Sequence, residues 1–443
     1  MYSTQRIDHL GLISGLIDEI GVVEYIDSII PKTSNNTKMS HGELLKAMLL
    51  NGLGFTSQPL YLYSEFFSEK ALDKLFKREV DASEINDKAL GRTLDTLYDY
   101  GLNDLYFNLA EKIITSLGIN VNTAHIDTTS FHVDGNKYEN TCVNGVKITH
   151  GYSKDHRPDL QQVILNLIVD NKSSIPLFFQ AINGNQSDKV TGFKYANTNL
   201  SLHTFYSAEN MKCKKKSAIK RISKLTSEEH KEFKKLLKEQ YDCETDAEKE
   251  LQKFTAKLKF SAVCNIHIVK EIKANSAYYK IHGDIFSVIA KQKDYISKLG
   301  YFTLATNAHE LSSIEVLSKY KEQQRVERGF RFLKSDEFFT SAIYLKTPER
   351  IESLLMIMTL SLAVYSAIEY KIRLLMVAKN VFFLDQKKEE TKNPTARWVF
   401  YCFKGIDILM VDAEDIQFFI LNLQDRHKTI LDLLGDSYWK YYR

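Results

Sequence analysis

The chain has 443 residues, enough for two or three domains with a sizeable core. Hydrophobic residues make up 44% and charged residues 26%, a globular balance, and a net charge of +3 leaves any nucleic-acid partner to be argued from local patches. The five cysteines, Cys142, Cys213, Cys243, Cys264 and Cys402, are scattered with no C-x-x-C pair, which argues against a disulfide framework or a zinc site and fits a reducing cytoplasm.

Residues 1–117 read as helical. Apolar residues recur at three and four from Ile7 through Ile20, and the run is broken by Asp18 and Glu19 with no cationic stretch before it, so it does not read as a signal peptide. Ser40-His-Gly-Glu43 has the spacing of a capping box, and Asn51-Gly-Leu-Gly-Phe55 should end the helix it opens. The texture changes near Gly118. Thr123–Val133, Gln162–Asp170 and Ile175–Ile182 are rich in β-branched and aromatic residues, with the turn Asn171-Lys-Ser-Ser174 between the last two. They read as three consecutive antiparallel strands.

Residues 209–258 are lysine-rich with helical spacing, and 260–269, 278–282, 285–289 and 300–306 return to strand texture. Tyr320–Lys334 contains no proline and one glycine and reads as a single helix. Leu354–Ile368 is too short for a membrane span, for which ~20 apolar residues are needed, and reads as a buried helix. The remaining residues to Arg443 are mixed, with helix expected.

Several residues on these elements carry usable chemistry. On one helix, Tyr320, Gln323, Glu327, Arg331 and Lys334 share a face. Such a stripe could hold a metal ion with its carboxylate and a phosphate backbone with its cations; a solvated face of mixed charge is the alternative. Asp127 sits mid-strand, where acidic residues are depleted. It is either an exposed strand position or a metal carboxylate. His125 shares its face, as His132 does with Asp134, so a mononuclear His/Asp site is a third reading. Gly151–Leu160 brings Lys154, His156 and Arg157 to a polar loop suited to phosphate. Lys212, Lys214, Lys215, Lys216, Lys220 and Arg221 form a basic cluster.

Taken together, these segments resemble the DDE transposases of bacterial insertion sequences, in the broad group named after insertion sequence 4 and the subgroup with an extended helical N-terminal domain. In that group the last catalytic glutamate lies in a Tyr-x2-Arg-x3-Glu-x6-Lys helix. The spacing is intact here from Tyr320 through Gln323 and Glu327 to Lys334, with Gln323 where arginine is usual. Asp8–Ile13, Lys46–Phe55 and Asn86–Asp95 look like the family's N-terminal domain; His125–Asp127, Gly151–Leu160 and Gly184–Asp188 look like its catalytic domain. The resemblance covers nearly the whole chain.

It implies an α/β, RNase H-like catalytic domain (118–350, with a β-rich insertion at about 209–300), after a helical, DNA-binding N-terminal domain (1–117) and before a helical C-terminal region (351–443). It implies a two-metal mechanism using Mg²⁺ or Mn²⁺, with Asp127 and Glu327 as two of three carboxylates. Tyr320, Gln323, Lys334, Lys154 and Arg157 would contact DNA. The implied partners are double-stranded DNA, as terminal inverted repeats and target, and a second copy of the chain on that DNA, without a membrane.

The third carboxylate is missing from the pattern. Where relatives read Ala-Asp-Ser-Ala-Leu-Tyr-Thr-Ala-Glu-Asn, this chain has Ser201-Leu-His-Thr-Phe-Tyr-Ser-Ala-Glu-Asn210, with Leu202 in the aspartate's place. No strand-like run precedes Tyr206, so loss of the fourth strand with its aspartate is the expectation. Asp188 and Glu209 each have their own counterparts in the pattern and are unconvincing substitutes. A transposase, intact or degraded, a non-catalytic DNA-binding remnant and an unrelated nuclease of similar fold are the three readings that remain.

Overall fold

A computed structural model describes residues 2–443 except 33–37, 56–61, 134–144, 152–156, 158, 187–200, 274–275, 336–337, 339–344, 346 and 413–415. The chain is mixed α/β and divides into two units, 1–194 with 321–443, and 195–320. These boundaries differ from the expected division at 117 and 350. The segment read as an insertion lies inside the second unit, while the expected N-terminal and C-terminal domains share the first.

The first unit opens with β1 (Tyr2–Arg6) and the helices α1 (Leu10–Ile20), α2 (Val22–Ile29), α3 (His41–Leu53), α4 (Tyr63–Ser68), α5 (Leu72–Phe76), α6 (Asp87–Tyr100) and α7 (Leu102–Ser116). The capping box is formed: Glu43 N–H donates to Ser40 Oγ at 3.1 Å and Ser40 N–H to the Glu43 carboxylate at 2.8 Å. Helix α3 ends at Leu53, with Gly54 as its cap. Strands β2 (Ala124–Val133), β3 (Gln161–Asp170) and β4 (Pro176–Asn183) then form the expected antiparallel meander in the order β2-β3-β4.

The second unit contains β5 (Ser201–Tyr206), α8 (Ala208–Leu236), α9 (Glu244–Lys257), β6 (Ser261–Lys273), β7 (Ser276–Ser287), α10 (Ile289–Ser297) and β8 (Tyr301–Thr306). Phe233 and Leu236 of α8 and Ala247 and Phe254 of α9 bury against Ile281 of the β6–β7 hairpin. A strand therefore does run through 201–206, contrary to expectation. It pairs antiparallel with β8, placing Phe205 opposite Phe302 and Tyr206 opposite Tyr301, with ring centroids 5.5 and 5.0 Å apart. Such cross-strand aromatic pairs stabilise a ribbon whose alternation is too polar to read as a buried strand. Among the described residues β5 and β8 form a two-stranded sheet.

Helix α11 (Ser313–Glu322) and helix α12 (Gln324–Leu333) replace the single expected helix, the break falling at Gln323. Next comes α13 (Pro348–Lys379), with proline in its first turn and Asn380 at φ 54° closing it. It is long and apolar enough to cross a membrane, but its most apolar stretch is 89% buried within the protein, against α1, α3, α6 and α7 among others. Three of its buried hydroxyls are paired: Ser353 donates to Leu94 C=O, Thr359 to Leu355 C=O and Ser361 to Ile357 C=O, at 2.8–2.9 Å.

The chain finishes with β9 (Phe383–Leu384), β10 (Glu390–Thr391), α14 (Ala396–Cys402), β11 (Asp407–Asp412), β12 (Ile416–Leu421), α15 (Asp425–Leu434) and α16 (Asp436–Trp439). The C-terminal region is thus not purely helical. Strand β11 is flanked by β12 and by β1, which pairs with it from Tyr2↔Val411 to Arg6↔Asp407. This pairing is one physical reason why the two ends belong to one unit. The buried rings of Tyr442 and Tyr438 are another. They lie against Gly11 and Gly15 of α1 so closely that a Cβ at either glycine would sit 2.7 or 2.6 Å from the facing ring. Asp18 completes the seam, contacting Lys46 at 3.0 Å, Lys440 at 2.9 Å, Lys77 and the Tyr441 hydroxyl. Burial alone would raise its carboxyl, but these partners outweigh burial and hold it well below the ordinary range.

Candidate functional site

Asp127 lies where β2 passes from exposed to buried, opposite Leu167 of β3. It is half-buried and its Oδ1 accepts the Thr128 N–H at 2.8 Å. Strand alternation puts His125, Asp127, Thr129 and Phe131 on one face. The Nε2 of His125 faces Asn171 Oδ1 at 3.2 Å, and Asn171 Nδ2 donates to Glu322 Oε2 at 2.7 Å. The last residue of α11 is thereby tied to the β3–β4 turn beside the Asp127 face. Asn171 and Glu322 were missed by sequence reasoning. Asn171 looked like a turn residue only, and Glu322 falls off the Glu327 stripe.

Helix α12 packs against β2, β3 and α13. Val326, Phe330 and Leu333 are its buried side. Glu327 lies next to that side, exposed, with no hydrogen bond or ion pair among the described residues. Lys334, which follows the last turn, sets its ammonium 5.7 Å from the centre of the Phe131 ring. Glu327 and Lys334 share a helix face seven residues apart, about 10.5 Å of rise. Asp127 and Phe131 share a strand face four residues apart, about 13 Å of rise. The helix that carries Glu327 and the strand that carries Asp127 are thus in contact, and Lys334 against Phe131 is one point of it.

The other sequence-derived residues are more dispersed. Tyr320 belongs to the second unit, where its ring leans on Phe302 at 6.0 Å. Gln323 occupies the break between α11 and α12, with helical dihedrals of −55° and −24°. The five-residue stripe expected on one helix is therefore split across two. Arg157 is engaged by Asp159, 2.8 Å from its Nη2. Lys154, His156, Asp134 and Asp188 lie outside the described residues. Leu202 is 69% exposed on β5, and Glu209 is exposed in the first turn of α8. The basic cluster from Lys212 to Arg221 lies on the exposed first half of α8.

Two of the sequence motifs do meet. Gly151, which opens the polar loop, and Gly184, which opens Gly-Asn-Gln-Ser-Asp, close on Gln162 at the start of β3. Thr149 and Gln162 form an antiparallel bridge, and Gln162 Nε2 donates to Gly184 C=O at 2.7 Å. A Cβ on Gly151 would lie 2.1 Å from Gly184 O, and one on Gly184 1.9 Å from Gln162 O. Only glycine permits this approach. Nearby, Val146 N–H donates to Glu352 at 2.7 Å, which moors the strand-edge segment to α13.

Asp127 and Glu327 offer hard oxygen donors of the kind Mg²⁺ and Mn²⁺ take. Two carboxylates match the donor chemistry of one such ion but leave the charge of two ions undercompensated. Among the described residues no three of His, Cys, Asp and Glu are grouped to hold a metal. Leu202 supplies no donor. No curated protein matches the chain. Residues 2–111, which span β1 and helices α1 to α6 and most of α7, match the family model described as a domain of unknown function, DUF4277.

Proposed function

We propose that the chain is a DDE-type DNA transposase by descent, with an RNase H-like core and an incomplete metal site. The supporting observation is the packing of α12, which carries Glu327, on β2, which carries Asp127, with Lys334 seated over Phe131. The β2-β3-β4 meander is what the first half of an RNase H-like sheet requires. The second half would place another strand beside β2, whereas β5 pairs with β8. The same strand carries Leu202 in the position of the missing aspartate, so one segment accounts for both departures.

In this reading the substrates are double-stranded DNA at the element's inverted repeats and at a target, engaged by a homodimer in a bacterial cytoplasm. Bound divalent ions would supply activation of the attacking oxygen and stabilisation of the leaving one. Asp127 and Glu327 hold the oxygen donors, while Lys334 and Arg157 position the phosphate backbone. Gln323 offers an amide where the family has a cation, which weakens one such contact. The second reading, a non-catalytic binder of element ends, is favoured by Leu202.

A Mg²⁺-dependent strand-transfer assay on inverted-repeat DNA tests both. Salt-sensitive binding without cleavage is expected. Robust strand transfer abolished by Asp127→Asn or Glu327→Gln would overturn the incomplete-site reading and establish an intact enzyme. Equal cutting of any duplex would overturn descent from an end-specific transposase.

A further inference from the structure

Between α12, α13 and the start of α14 the first unit holds a cavity of about 350 Å³. Its polar lining is unbalanced. Arg328, Arg331, Arg373 and Arg397 bring four guanidinium groups, against the single carboxylate of Glu369. That carboxylate is already committed: Arg373 pairs with it at 2.7 Å and Ala396 N–H donates to it at 2.8 Å. Arg373 is in turn oriented by donating its Nε to Pro394 C=O at 2.8 Å. Tyr365, on the cavity wall, accepts the Arg397 N–H at 3.1 Å.

Arg328 and Arg331 have no hydrogen bond or ion pair among the described residues, and both are exposed. They stand three residues apart on α12, so their forks reach the same space. Burial pushes the Glu369 carboxyl upward, opposed by Arg373, the Ala396 N–H and the more distant charge of Arg328. With Arg373 paired to Glu369, the exposed Arg328, Arg331 and Arg397 leave an excess of positive charge at the cavity, and guanidinium forks match phosphate oxygens in pairs. The volume sits near the roughly 300 Å³ lower limit of small-molecule pockets. It admits a phosphate with its sugar.

We propose that this cavity binds a phosphate group carried on a nucleic-acid strand. The identity of the strand rests on the DNA-processing reading; the anion site does not.

The test is metal-free binding of fluorescent single- and double-stranded DNA across a salt series, with 5′-hydroxyl and 5′-phosphate ends. It compares the native chain, Arg328→Gln/Arg331→Gln, the charge-preserving Arg328→Lys/Arg331→Lys, and Lys214→Gln/Lys215→Gln on α8 as a charge-matched control. The cavity variant should bind DNA about tenfold more weakly and lose about 1–2 from the slope of log affinity against log salt, with partial rescue by lysine. Inorganic pyrophosphate should compete with DNA on the native chain and lose that effect in the glutamine variant. Dependence on the 5′-phosphate would assign a terminal phosphate, and independence a backbone one; both support the site. An affinity and slope no more affected than in the control would overturn it, as would pyrophosphate binding without any DNA binding. Equal cutting of any duplex with these DNA results intact counts only against the transposase reading.

Discussion

Glu352 gives the sharpest quantitative test. It lies in the second turn of α13, half-buried, beside Gly145, Tyr98 and Glu349, and accepts the Val146 N–H. Burial, reinforced by the neighbouring Glu349 charge and only partly offset by that hydrogen bond, pushes its carboxyl from 4.5 to about 7. At about 1.36 kcal/mol per pH unit, that displacement corresponds to at most about 3.4 kcal/mol, and partial exposure reduces it to about 1–2 kcal/mol. The pKa is raised on folding, so the native state holds its proton more tightly than the unfolded chain does. The contribution is fully present below pH 4.5 and lost as pH rises through 7. Glu352→Gln keeps an oxygen acceptor for Val146 without the charge. It should match the native chain near pH 5 and exceed it by about 1–2 kcal/mol at pH 8. Both tryptophans, Trp398 and Trp439, lie in the first unit, so their fluorescence in urea titrations reports on this unit. Parallel pH profiles for the two proteins, or a variant less stable at pH 8, would refute the reasoning.

Three further outcomes follow from the packing. Gly184→Ala forces a methyl against Gln162 O and Thr149 O, and should destabilise by about 3 kcal/mol, measured by urea unfolding. Asp18→Asn strands Lys46, whose side chain is 3% exposed, and should cost about 3–5 kcal/mol at pH 7. Because the Asp18 carboxyl is depressed in the fold, that difference should shrink as pH falls below its ordinary range. Leu202→Asp should change stability by less than about 0.5 kcal/mol, because the side chain already faces solvent. A larger loss by calorimetry would mean that Leu202 is held by more than its pairing with Ala305.

What was legible in the sequence was mainly local. The Ser40–Glu43 box, the meander from Ala124 to Asn183 and the buried helix after Glu349 were carried by caps, turn residues and periodicity, each of which acts within a few residues. Strand β1 was hidden because Tyr2–Arg6 is polar and gains its place only from β11, some 400 residues later. Strand β5 was hidden because its support is the aromatic pairing with Phe302 and Tyr301. The break at Gln323 has no proline or glycine to announce it. At the candidate site, Asp127 and Glu327 were found from residue type and spacing. The Asn171–Glu322 link and the arginine-lined cavity needed the approach of distant segments, which a linear pattern does not encode.

The seam between residues 2–18 and 407–442 sets an order on folding during synthesis. The sheet is incomplete until Asp407–Leu421 has emerged, and Gly11 and Gly15 face no ring until Tyr438 and Tyr442 arrive. The interrupting unit, 195–320, is contiguous and has a core of its own. It emerges whole while 122 residues, from 321 to 442, still separate the ribosome from Tyr442. At ~5–20 residues per second that is a delay of about 6–24 s. During this interval the inner unit can be native while the outer one, including the apolar α13, still lacks its closing partners.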